Sequence, residues 1–97
     1  MSKKSIIIGL PTLDEDQLIE LIKYIEDSIR KYILSEIDIR FIDDFNVEII
    51  LDKKEELSLI IDLELTFFID VPNAENVLQT ALQLGANALE KKIESYK

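Results

Sequence analysis

The chain reads as an α+β domain, a two-layer sandwich of order β-α-β-β-α, in which two helices pack on one face of an antiparallel three-stranded sheet. Three observations predict it. From Leu57 to Ile69 every odd-numbered residue is apolar, a period-2 run that a strand with one buried face explains. Leu18, Leu21, Ile22, Ile25, Ile29, Tyr32 and Ile33 recur at helical spacing, as do Val77, Leu78, Ala81, Leu82, Gly85, Ala88, Leu89, Ile93 and Tyr96. The chain's 97 residues suit one small domain, 1–97, with no room for a second.

Residues 1–4 are expected to form a flexible N terminus, followed by a short strand over Ser5–Leu10 that Gly9 interrupts. The pattern does not say whether this strand joins the sheet. After Pro11, Thr12 and Glu15 have the spacing of a capping box, and Asp14, Glu15 and Asp16 suit the positive end of a helix dipole. The helix then runs to about Ser35. On its polar side Glu26 with Arg30 and Asp27 with Lys31 stand four apart in the favourable order, each pair worth about 0.3 kcal/mol.

Ile37, Ile39 and Phe41 open a second alternation, which Phe45, Val47, Ile49 and Leu51 resume after Asp43-Asp44, a pair that marks a bend or bulge. Residues 52–56 are charged and lack glycine, which predicts a hairpin loop longer than a two-residue primed turn. Pro72-Asn73 ends the sheet, with Asn73 the expected cap of a helix from Ala74 to about Tyr96. Gly85, between Ala81 and Ala88, costs that helix about 1 kcal/mol of propensity, so a close contact is expected there.

If both helices cover one face, the other is bare. Ser58, Asp62, Glu64, Thr66 and Asp70 suit a wet face, but Ile60 and Phe68 have the same parity. A register that sets Ile50 opposite Ile60 also sets Ile42 opposite Phe68, so Ile42, Ile50, Ile60 and Phe68 form the expected protein interface.

Composition removes most chemistries. Without cysteine there are no disulfides, thiolate metal sites or cysteine nucleophiles, and without histidine there are no serine-type triads or histidine-ligated metals. The acidic groups Asp14-Glu15-Asp16, Asp43-Asp44 with Glu48, and Asp52 with Glu55 and Glu56 lack EF-hand spacing, and glycines for a phosphate-cradling loop are absent. Tyr24, Tyr32 and Tyr96 read as amphipathic residues on helix faces. No catalytic residue, cofactor or metal is therefore expected. A net charge of −9 argues against direct nucleic-acid binding and favours basic partners, and Lys3-Lys4 and Lys91-Lys92 with Lys97 read as solvated ends. No apolar run reaches a membrane span, and a cytoplasmic protein is expected.

Lys31-Tyr32-Ile33-Leu34-Ser35 at the end of the first helix, the Val47-Glu48-Ile49 and Leu63-Glu64-Leu65 strands, and the alanine-bearing last helix resemble a small archaeal family of uncharacterised proteins often considered with the prefoldin beta subunit gene. The resemblance spans Leu10 to the C terminus. The β-α-β-β-α order also resembles the small dimerising subunit of the KEOPS complex, which makes the threonylcarbamoyl modification of adenosine in transfer RNA. That resemblance implies a noncatalytic paralogue that works by assembly. In the small subunit the last helix opens with an arginine, whereas Asn73-Ala74-Glu75-Asn76 here has none. The implied role is therefore a partner of the small subunit, as heterodimer or homodimer, rather than a substitute for it. A prefoldin-associated chaperone factor and a small-ligand-binding domain are the alternatives.

Overall fold

Leu59, Ile61, Leu63 and Leu65 are all fully buried, and they line one side of the strand that lies in the middle of the sheet. The computed structural model describes residues 2–54 and 56–96. Its elements are β1 (Ser2–Gly9), α1 (Glu15–Glu36), β2 (Ile42–Asp52), β3 (Ser58–Phe67) and α2 (Ala74–Glu94), with a single 3-10 turn over Ile39–Phe41. The sheet order is β1-β3-β2 and both pairings are antiparallel, giving the expected α+β fold.

The strand at the N terminus does join the sheet, and it starts earlier than expected. Ser2, Lys3 and Lys4 pair with Leu65, Glu64 and Leu63 where a flexible terminus is expected, while Met1 lies outside the described residues. Lys4 falls on the helix-covered side, and its ammonium reaches Glu75 at 3.2 Å. A lysine stem can lie along apolar surface while its charged head reaches out, so a basic residue is compatible with this edge.

Cross-strand rows build the core. Ile6, Ile61 and Ile49 form one row, and Ile8, Leu59 and Leu51 the next. The flanking residues of β1 and β2 are half-buried and pack against the buried cluster. Over this face lie Leu21, Ile25, Ile29 and Ile33 of α1 and Leu78, Ala81, Leu82 and Leu89 of α2.

The helices begin differently from the sequence expectation. In α1 the cap is Asp14, not Thr12: Gln17 N–H donates to Asp14 Oδ1 at 2.8 Å, and Asp14 N–H donates to Gln17 Oε1 at 3.1 Å. Aspartate is the stronger cap, and the shift sets Leu13 and Leu18 at the two positions of a hydrophobic staple. In α2, Asn73 makes no side-chain cap bond and instead adopts φ 65°, a left-handed conformation that asparagine tolerates better than most residues.

The helices run antiparallel, as their contacts show. A Cβ added at Gly85 would lie 2.9 Å from Ile29 Cδ1 and 3.6 Å from Ile25 Cγ2, so the missing side chain is what lets α2 approach α1. Farther along, Lys92 Nζ lies 2.6 Å from Glu20 and stands over the rings of Tyr24 and Tyr96, at 5.5 and 5.8 Å from their centroids. Tyr96 Oη donates to the Gln17 carbonyl at 3.3 Å. The hydrogen bond with Glu20 raises the Lys92 pKa, while burial raises that of Tyr96. Two of the three tyrosines thus clasp a lysine between helices.

The expected strand start at Ile37 does not form. Ile37 is the buried C-cap of α1, and Ile39–Phe41 make the 3-10 turn, opened by Asp38. Arg40 grips Asp38 from three directions, through its backbone N–H (3.0 Å to Oδ1), its Nε (3.1 Å to Oδ1) and its Nη2 (2.6 Å to Oδ2). These bonds stabilise the ionised carboxylate and hold its pKa at about 2.

Two outcomes test this account. Gly85→Ala should lower stability by about 1 kcal/mol, because crowding Ile29 outweighs the gain in helix propensity. In an Ile29→Val background, which lacks Cδ1 but keeps a Cγ1 at 3.2 Å, the same change should cost clearly less. Additive effects in urea unfolding of the four proteins would show that the contact is not there. For Asp38 the folded pKa lies below the ordinary 3.8. Its contribution to stability is therefore present above that value and is lost as pH falls toward 2. Carboxyl NMR titration should show a midpoint of about 2, and Arg40→Gln, which keeps the backbone N–H bond, should raise it part of the way toward the ordinary carboxylate range; an ordinary midpoint in the wild-type protein would rule the grip out.

Candidate functional site

The four residues expected at an interface do not form one surface. Ile50 and Ile60 do pair, and β1 adds Ile7 on the far side of Ile60, so a row of three isoleucines crosses the uncovered face. Ile7 is 69% exposed and Ile50 39%, whereas Ile60 in the central strand is half-buried between them.

Ile42 belongs elsewhere. A β-bulge between Ile42 and Asp44 slips the register, so Ile42 pairs with Phe67 instead of Phe68. Both members of that pair are half-buried and pack against the core. The extra residue reverses the parity of everything before it, which moves Ile42 to the helix-covered side. At the bulge, the Thr66 hydroxyl donates to Asp43 Oδ2 at 3.5 Å.

Phe68 lies just past the end of β3 and is 68% exposed. Its N–H donates to the Phe41 carbonyl at 3.0 Å, which ties it to the 3-10 turn. Ile39, Phe41 and Ile69 are exposed beside it, giving an apolar patch at one end of the sheet. Sequence parity assigns Ile39, Phe41 and Ile69 to the buried side of strands. They lie outside the strands, where period-2 logic does not hold. Ile7 sits within Ile6-Ile7-Ile8, a run that is apolar in either parity, so alternation could not single it out.

The two surfaces differ in charge. Around the isoleucine row the open face carries Glu48 directly opposite Asp62, Glu64 opposite Lys3 and Asn46, Asp44 opposite Thr66, and Asp52 opposite Ser58. Glu48 and Asp62 form a like-charge cross-strand pair, an arrangement that costs stability. The end patch lies beside the Asp38–Arg40 ion pair and next to the exposed Asp70.

Among the described residues no polar or charged residue is buried, and no three carboxylates converge as a metal site would require. The concavities along the surface are shallow. One lies between β1 and α2, lined by Lys4, Ser5, Ile6, Gln79, Leu82 and Gln83. No helix among the described residues is long and apolar enough to cross a membrane.

Comparison with known proteins places this geometry in a family. The chain resembles a protein from Thermococcus onnurineus NA1 known from a crystal structure, with 28% identity over 98% of this chain and 93% of that one, and a TM-score of 0.83. It shares the fold of the hypothetical protein mth677 from Methanothermobacter thermautotrophicus, known from a solution structure, with a TM-score of 0.71 at 22% identity over 91% of this chain and 97% of that one. No curated protein matches it. The expected kinship with uncharacterised archaeal proteins is met at this level. A family model matches residues 10–96, and the chain belongs to the family described as Protein of unknown function (DUF3194).

Proposed function

We propose that the protein is a noncatalytic interaction subunit that works by associating with another protein chain. The observation that carries this reading is the grouping of its exposed apolar side chains. Ile39, Phe41, Phe68 and Ile69 gather at one end of the sheet, while Ile7, Ile60 and Ile50 line up across the open face. Scattered exposed apolar residues need no explanation, but contiguous ones mark surfaces where partners dock. Aromatic side chains such as Phe41 and Phe68 bring large contact area, and a few such anchors carry most of the energy of a typical interface.

The partner we propose is the small subunit of the KEOPS complex, which would make this chain an accessory to the threonylcarbamoyl modification of transfer RNA. The reading is supported by architecture: the β-α-β-β-α order, with both helices on one face and β1 and β2 at the sheet edges, resembles that of the small subunit. The acidic charge is compatible with a role that reaches RNA only through other subunits.

Affinity purification of the tagged protein at near-native levels, with light scattering of the purified chain, tests the proposal. A KEOPS subunit should co-purify in stoichiometric amount. Phe68→Glu and Ile60→Glu should each weaken the complex by about 2 kcal/mol or more if the residue is a central anchor, while circular dichroism stays unchanged. Recovery of prefoldin instead would redirect the assignment to a chaperone factor, and a monomer with no partner would overturn the association reading altogether.

A further inference from the structure

The open sheet face has a chemistry that selects its occupant. At its centre the Ile7–Ile60–Ile50 row crosses all three strands, a span of about 10 Å at ordinary strand spacing. Around it stand Asp44, Glu48, Asp52, Asp62 and Glu64, with Lys3 the one cation on the same face among the described residues. The described ion pairs all lie elsewhere: Lys4–Glu75 and Arg30–Glu26 involve helix residues, Arg40–Asp38 the turn, and Lys92–Glu20 the two helices. The acids of this face therefore have no ion-pair partner within the described chain.

We propose, building on the interaction reading above, that this face docks a basic protein surface, one with an apolar centre ringed by Lys or Arg, and that it rejects a second copy of the same chain. An apolar partner centre would dry the isoleucine row, and a basic ring would relieve the repulsion between Glu48 and Asp62. Stacking two identical faces has the opposite effect. It would bring two acidic rims together across a sheet spacing of about 10 Å, close to the Debye length at moderate salt, where screening is incomplete. Such a like-charge mismatch is a recognised way to exclude a wrong partner.

The chain itself supplies a probe of matching shape. A triple variant, Glu48→Lys, Asp62→Lys and Glu64→Lys, keeps the sheet twist and the isoleucine row but presents a basic rim. Amide NMR of isotopically labelled wild-type protein, titrated with this variant, should shift the signals of Ile7, Ile50 and Ile60, and sedimentation should show a heterodimer. Neither protein alone should associate through this face. Binding should weaken at least about tenfold between about 0.05 and 0.5 M salt and should be lost when the wild-type partner carries Ile60→Ser. Should the triple variant fail to fold, Asp44→Lys, Glu48→Lys and Asp52→Lys, all on the edge strand β2, reverse the charge of the face equally and serve as the second probe.

Unmoved face amides at millimolar concentrations would overturn the proposal, and so would wild-type self-association through Ile7, Ile50 and Ile60. If association occurs but shifts only Ile39, Phe41, Phe68 and Ile69, the docking face is wrong while the interaction reading stands. Absence of any association, together with a failed co-purification, removes both.

Discussion

The structure depends on one strand being buried on one side from Leu59 to Leu65. Leu59, Ile61, Leu63 and Leu65 lose all contact with water, and each such side chain contributes about 1.5–3 kcal/mol of hydrophobic stabilisation. That requirement puts β3 in the middle of the sheet, since an edge strand in a two-layer domain is only partly covered. β1 and β2 then take the edges, and their core-facing residues are accordingly half-buried. The helices are drawn over the same side by the same row. Everything on the other side is left to water or to a partner.

How closely the helices cover that row is set by Gly85. With no side chain there, the backbone of α2 comes against Ile29 and Ile25, which brings Ala81 and Leu82 down into the cluster. The clasp of Lys92 between Tyr24 and Tyr96 fastens the far end, where the last turn of α2 meets the first half of α1. With two helices of about this length covering one face only, the molecule is elongated, 43 × 25 × 19 Å. Its radius of gyration of 14.1 Å exceeds the roughly 12.5 Å of a close-packed chain of this length.

Strong periodicity made most of this legible from the residues. The alternation around Leu63 and the stripe from Leu18 to Ile33 each repeat often enough that only one element fits, and the Ile50–Ile60 register follows from keeping both apolar faces together. Legibility failed where a single residue decides between neighbours. Thr12 and Asp14 are both good caps, and spacing alone could not choose between them. Ile37, Ile39 and Phe41 alternate like a strand, yet Asp38 and Arg40 close a turn through a side-chain grip that no periodicity encodes. The acidic pair at Asp43 was readable as a bulge, but its consequence was not: one inserted residue moved Ile42 against the core and paired it with Phe67, while Phe68 lies past the end of β3, away from the isoleucines with which parity grouped it.

That bulge also gives the two apolar surfaces their different characters. On its strand side every open-face row except the isoleucine one brings in an acid, so whatever docks there must meet negative charge. Before the bulge the chain has turned, and the side chains of Ile39, Phe41, Phe68 and Ile69 are exposed beside a charge pair that is already satisfied. The end patch thus sets bulky apolar side chains beside one compensated charge pair and the exposed Asp70, whereas the open face sets its isoleucines among several acids that have no ion-pair partner in the described chain. Asp43, where the register slips, is where one surface gives way to the other.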